Sequence, residues 1–226
     1  MFITDFGNLI RELPYKYQAF EINYDHWKDT NQSQIIESIF FQKNKAGIIT
    51  LSRFDLFHST VNLPEFVLKV LMWDYPTKGN GNNIDTLLLP ENFDFLIRKL
   101  KNLKGKENLT MMEVFYFLQI KGLEFSTLSK ILYFKKLTVE SLPALALDQR
   151  IINTINAQSK FEDYGIERFK SLSYNAAYDQ YVEYLQFMYE LSMQLKVKPD
   201  QIEMFLYEFG SNLKELVGED GDWDDL

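Results

Sequence analysis

The stretch Ile120-Lys-Gly-Leu-Glu-Phe-Ser-Thr-Leu-Ser-Lys-Ile-Leu-Tyr-Phe134 contains the end of one apolar helix, a glycine and the start of a second helix. Gly122 permits a tight turn, and we predict that the second helix begins near Ser126. Backbone N–H groups beside the N-terminus of a helix can bind phosphate, and Lys121 and Lys130 would add positive charge. The stretch therefore predicts a helical hairpin with a phosphate-binding turn.

Short local signals predict where several other helices begin. Pro64 suits the first turn of a helix, where a missing N–H costs nothing. Asp148 is placed to cap a helix whose buried face is rich in isoleucine. Asp200, with Glu203 three residues later, resembles a capping box and predicts another helix start. Each signal marks an expected boundary between a loop and a helix.

Signals for strands are few. Residues 47–51 either form a short strand or begin a helix, and the Gly/Asn run at 79–83 predicts a loop. We therefore predict a single all-α domain of about ten helices. Along the chain we expect an N-terminal helical extension at residues 1–62, a helical domain at residues 63–210 and an acidic tail at residues 211–226.

The composition excludes several classes of protein. The 226 residues contain no cysteine and only two histidines, which excludes disulfide scaffolds, iron–sulfur clusters and thiolate zinc sites. We accordingly predict no metal and no cofactor. The sequence shows neither a signal peptide nor an apolar run long enough to span a membrane, so we expect a cytoplasmic protein that does not contact membranes.

Charge is unevenly distributed along the chain. The net charge is −8, yet residues 98–136 contain nine basic and three acidic residues, a net charge of +6. Residues 200–226 contain nine acidic residues and one lysine. A basic middle segment with an acidic tail is compatible with phosphate contact by one face. The alternative is a solvated helix face followed by a solubilising tail.

The order of these motifs resembles the helix-hairpin-helix DNA glycosylase superfamily, and more closely the bacterial proteins with an 8-oxoguanine DNA glycosylase-like fold. The similar strings lie at residues 126–134, 143–151 and 199–210. The string Leu71-Met-Trp-Asp-Tyr-Pro76 is also similar to a tryptophan-containing turn of that family. The resemblance spans residues 63–210. It implies a helix-hairpin-helix fold that binds double-stranded DNA.

The resemblance also implies two catalytic candidates. In that superfamily, an aspartate at the start of a later helix stabilises positive charge on the sugar or orients the nucleophile, and Asp148 matches its position. The alternative is that Asp148 only caps its helix. Members that cut the strand use a lysine at the start of the second hairpin helix. Ser126 stands at that position here. Lys130 lies one turn later, and we expect it to be a nucleophile, a phosphate contact or a surface lysine.

Six further residues complete the candidate site. The residues expected to bind DNA are Lys121, Gly122, Ser126 and Arg150. The last of these contacts phosphate or pairs with a nearby acid. Trp73 and Tyr75 either stack on a base flipped out of the duplex or belong to the core.

Two classes of function follow. The first is a monofunctional DNA glycosylase of base excision repair, which hydrolyses the bond between a damaged base and its sugar. The second is a non-catalytic protein that kept the fold. It would recognise DNA or nucleotides, or bind a protein partner through the acidic tail, in a bacterial system such as phage defence. The net charge favours the second class, as does Glu124, which stands where a second hairpin glycine is usual.

Overall fold

The structure is a computed structural model that describes residues 1–41, 47–78, 82–156, 161–210 and 212–213. Within these ranges the chain is mostly helical, which confirms the predicted fold class. The α-helices are α1 (Gly7–Glu12), α2 (Ser33–Phe41), α3 (Arg53–Phe57), α4 (Leu63–Asp74), α5 (Asn82–Leu87), α6 (Pro90–Asn102), α7 (Met111–Leu118), α8 (Phe125–Phe134), α9 (Gln149–Ile155), α10 (Tyr181–Leu195) and α11 (Pro199–Glu208). The β-strands are β1 (Ala19–Asn23), β2 (Ile48–Ser52), β3 (Asn108–Leu109), β4 (Thr138–Val139) and β5 (Leu142–Pro143). Among the described helices, none is long and apolar enough to cross a membrane.

The helices and strands form two compact units. One unit comprises residues 14–146, and the other comprises residues 1–13 and the chain from residue 147 onward. The boundary expected at residue 62 falls inside the first of these units, and the three-part division of the chain stays a prediction. Apart from residues 212–213, the expected acidic tail lies outside the described residues.

The unit of residues 14–146 is built around α8, whose ten residues are all buried. Helix α4 packs against α8 and contributes an almost continuous apolar surface. Pro64 lies in the first turn of α4, as predicted, and the Asn62 side chain caps that turn by accepting a hydrogen bond from the Glu65 N–H at 3.1 Å. A helix buried on every side is held by its tertiary contacts rather than by an amphipathic face.

Small sheets accompany the helices of this unit. Strands β1 and β2 are antiparallel, while β3 pairs parallel with β4 and β4 antiparallel with β5. At residues 47–51 the strand alternative holds, and β2 then leads directly into α3. Asn82 already belongs to α5, so the loop expected at 79–83 is shorter than predicted at this end, and residues 79–81 lie outside the described residues.

In the other unit, α9, α10 and α11 pack together. Asp148 caps α9, as predicted. The predicted cap at Asp200 is wrong, since the N-cap position of α11 is two residues earlier, at Lys198. Pro199 favours the first helical position, which moves the cap to the residue before it. The Lys198 N–H then donates a hydrogen bond to the Gln201 side chain at 3.0 Å.

Candidate functional site

The predicted hairpin is present. Helices α7 and α8 contact each other and are joined by residues 119–124, in which Gly122 has a φ of +80°. The Leu123 N–H donates to the Ile120 carbonyl at 3.1 Å and closes the turn. A Cβ atom on Gly122 would lie 2.5 Å from both the Asn83 carbonyl oxygen and the Leu87 nitrogen. Glycine is therefore required here both by the backbone angle and by the close approach of α5.

Only some of the hairpin residues that we expected to bind DNA are accessible at the surface. Lys121 is exposed and Gly122 half-buried, so both remain candidates for DNA contact. Ser126 is only 6% exposed, which contradicts its expected contact with DNA. The cause is the burial of α8 on every side, which directs the Ser126 hydroxyl to a partner inside the protein.

That partner is Lys130, whose side chain is 4% exposed. The Lys130 ammonium lies 2.6 Å from Oδ1 of Asp74 and donates a hydrogen bond to the Ser126 hydroxyl at 3.1 Å. This burial excludes the alternative that Lys130 is a surface lysine. A carboxylate at such a distance in a buried site stabilises the charged ammonium, and a protonated lysine has no lone pair with which to attack a sugar.

Two hydroxyl groups extend this buried cluster toward the surface. The Tyr75 hydroxyl lies 3.1 Å from the Thr127 hydroxyl, which lies 3.5 Å from Oδ2 of Asp74. Burial, together with the negative charge of Asp74, raises the pKa of Tyr75 to about 12. The half-buried phenol therefore stays neutral near pH 7, so it is able to donate a hydrogen bond but not to act as a general base.

Trp73 belongs to the core. It is 4% exposed, and its ring packs edge-on against Phe20 and Phe134. The Arg53 guanidinium lies over the same ring at 5.3 Å from its centroid. Of the two alternatives for Trp73, these contacts favour the core over stacking on a flipped base, because side chains of the protein already pack against its ring.

Asp148 is half-buried at the N-terminus of α9. Its Oδ1 accepts hydrogen bonds from the N–H groups of Arg150 at 3.0 Å and Ile151 at 3.1 Å. The Arg150 side chain is exposed, and its guanidinium lies 4.8 Å from the centroid of the Tyr207 ring. Among the described residues no acidic side chain forms an ion pair with Arg150, and its contact with phosphate stays a prediction.

The structure adds one residue that the sequence analysis missed, Asp74, and it gives Glu124 a partner. Asp74 carries no local signal for its pairing with Lys130, because the two residues meet only through the packing of α4 on α8. Glu124 precedes α8 at its N-cap position and accepts a hydrogen bond from the Asn83 side chain.

Within the described ranges, no group of three histidine, aspartate or glutamate side chains is arranged to hold a metal ion.

The Gly122 environment predicts a large cost for a methyl group at this position. Gly122→Ala should lower the free energy of unfolding by at least about 3 kcal/mol, because left-handed strain and steric overlap with the backbone of α5 add together. Gly105→Ala is the matched control, since Gly105 has a φ of +81° and no atom lies within 4 Å of the position that its methyl group would take. Strain alone should cost it about 1–2 kcal/mol. Equal losses in urea denaturation would contradict the proposed packing of the turn.

The buried ion pair gives a second prediction. Lys130→Met should lower the free energy of unfolding by about 3–5 kcal/mol, because Asp74 is then left charged and buried. Adding Asp74→Leu should recover part of that loss, since no unpaired charge remains. The exposed pair of Lys28 with Asp25 is the control, and Lys28→Met should produce no measurable change. Additive losses in the double variant would show that the two side chains do not interact.

Comparison with known proteins identifies a family for this chain. A family model described as "Putative 8-oxoguanine DNA glycosylase OGG-like protein" matches residues 14–207. No curated protein and no solved structure matches the chain. The match includes the hairpin, the ion pair and the capped helix α9, and it also includes most of the segment that we expected to be an extension. Because the match covers most of its length, the chain belongs to the OGG-like family.

Proposed function

We propose that this protein is a monofunctional DNA glycosylase, which binds lesion-bearing duplex DNA through the hairpin and releases a base by hydrolysis. The observation that carries the proposal is the difference between the environments of two candidate catalytic side chains in this OGG-like chain. Asp148 presents a half-buried carboxylate at the start of α9, whereas Lys130 is engaged in a buried ion pair. The carboxylate is therefore the better candidate for the chemistry.

Asp148 has the properties that hydrolysis of an N-glycosidic bond requires. As the bond between C1′ and the base nitrogen breaks, positive charge develops on the sugar, and a carboxylate stabilises that charge. The same group is able to orient the water whose oxygen bonds to C1′ while the base leaves. The two N–H groups that hold Oδ1 fix the side chain in one orientation, which reduces the cost of positioning it.

The environment of Lys130 supports hydrolysis rather than strand cleavage. Formation of a Schiff base needs a neutral amine that reaches C1′. The Lys130 ammonium instead lies against Asp74 and the Ser126 hydroxyl, within a helix that is buried throughout. We assign Lys130 a structural role in holding α8, and we assign the nucleophilic role to water.

We propose that DNA contacts exposed groups on the hairpin turn and at the start of α9. Lys121 supplies a positive charge on the hairpin turn, and the half-buried Gly122 beside it stays a candidate contact. Arg150 is exposed at the start of α9, where it is available to a phosphate. Tyr75 is half-buried and neutral, so we keep it as a candidate contact for a base drawn out of the duplex.

A second candidate function rests on Glu124. Its carboxylate stands at the N-cap of α8, where a bound phosphate would be expected, and Asn83 holds it there. Repulsion between this carboxylate and DNA favours a non-catalytic family member that recognises a nucleotide or a protein partner. Such a protein would leave every base attached to its sugar, even where it binds duplex DNA and slows its migration in a gel in a salt-dependent way.

The catalytic assignment predicts separate effects of two substitutions at one position. Asp148→Asn removes the charge but keeps a good N-cap, so base release should fall at least about a hundredfold while stability changes little. Asp148→Ala should lose the same activity and in addition about 1 kcal/mol of stability. The measurement is single-turnover release of bases from a panel of lesion-bearing duplexes, followed by chromatography.

The control for this experiment is Asp94→Asn, an exposed substitution on α6 that changes the net charge equally. It should retain wild-type base release. Unchanged release in Asp148→Asn would remove Asp148 from the mechanism. Salt-dependent binding of DNA by the wild-type protein with no release from any duplex would instead favour the non-catalytic function.

A further inference from the structure

A cavity of about 610 Å³ lies at the end of α8 that is away from the hairpin turn. The C-terminal ends of α6 and α8 line it, together with the segment between α3 and α4. Its volume is within the range of about 300–1,000 Å³ that is usual for sites of small molecules. Because α8 rises about 1.5 Å per residue, roughly 15 Å of helix separates this cavity from the turn that we propose to contact DNA.

The cavity is strongly basic. The lysines that line it are Lys101, Lys104, Lys106, Lys135 and Lys136. Glu107 is the one acidic residue among the lining residues, and Lys106 is paired with Glu113 outside the cavity. In the part of the chain that the structure describes, no ion pair engages the other four lysines. Lysines are favourable at helix C-termini, but four unpaired ammonium groups around one cavity repel each other and favour a ligand with several negative charges.

The wall of the cavity is apolar. Phe57, Val61, Leu63 and Leu103 line it and are only half-buried, so part of their apolar surface remains in contact with water. A ligand that covers this surface gains free energy from releasing that water. Phe57 already packs against Tyr133 and Phe134, so this wall offers a nucleobase apolar contact rather than an open ring face for stacking. Charge and apolar surface therefore point to one ligand with two chemically different parts.

Lys135 connects the basic and the apolar features. Its ammonium lies 5.8 Å from the centroid of the Phe66 ring, at a half-buried position. Burial lowers the pKa of Lys135, because the charged group has lost part of its hydration without gaining a carboxylate. An anionic ligand would supply the missing counter-charge.

We propose that this cavity binds a free nucleotide, with its phosphates on the lysines and its base against the apolar wall. The proposal goes beyond the function proposed above, because none of the residues involved takes part in base excision. Its failure would leave the assignment of Asp148 untouched, and failure of base excision would leave the cavity untouched.

The test is calorimetric titration of the full chain with ATP, inorganic triphosphate and a short single-stranded oligothymidine. ATP should bind with micromolar affinity, and Lys101→Gln/Lys104→Gln should weaken binding at least about tenfold. Lys135→Gln/Lys136→Gln should act in the same direction and provides an independent second variant. Lys16→Gln/Lys170→Gln removes two exposed charges elsewhere and should keep ATP affinity within about twofold. Thermal unfolding of each variant shows whether it is folded.

Several results would overturn the proposal. Equal affinity for inorganic triphosphate and ATP would show that the apolar wall contributes nothing and that the cavity binds only an anion. Binding of the oligothymidine that depends on the cavity lysines, without binding of ATP, would assign the cavity to a nucleic-acid strand. Equal weakening in the control variant would reduce the effect to net charge, and absence of ATP binding in the wild-type protein would reject the site.

Discussion

The buried ion pair between Lys130 and Asp74 is the constraint on which the hairpin depends. Both side chains are almost excluded from water, and each charge is stabilised by the other and by neighbouring hydroxyl groups. The pair joins α4 to α8 and fixes the helix from which the Gly122 turn projects. We infer that the pair favours one arrangement of two otherwise apolar helices, since a shift of either helix would separate the two charges.

The same ion pair also distinguishes Lys130 from the lysines at the C-terminal end of α8. A lysine whose ammonium is held by a carboxylate is a poor nucleophile, and this is why we propose that Asp148 acts with water. At the far end of the helix, Lys135 and Lys136 have apolar neighbours and no carboxylate partner within the described ranges. Helix α8 thus has an ion-paired lysine near its middle and lysines without an ion pair at its C-terminal end, and this difference suits them to different roles.

Local signals in the sequence predicted local structure well. Pro64 marked the start of α4, Gly122 marked the turn and Asp148 capped α9, because each effect acts within a few residues. Apart from the cap expected at Asp200, which lies two residues earlier at Lys198, the errors concern contacts between distant segments. Nothing near Lys130 indicates that it meets Asp74, and a tryptophan such as Trp73 has the same local pattern whether it stacks on a base or fills the core. The family match was anticipated from the order of the motifs rather than from any one residue.

The most direct test of the proposed division of roles follows base release and borohydride trapping in the same single-turnover reaction with lesion-bearing duplex DNA. We expect the wild-type protein to release the base, to leave the strand uncut until alkali is added, and to form no adduct with DNA. A trapped adduct that disappears in Lys130→Gln would contradict the assignment, because it would show that the lysine leaves its ion pair and attacks the sugar. Failure to release any base would contradict the glycosylase activity itself.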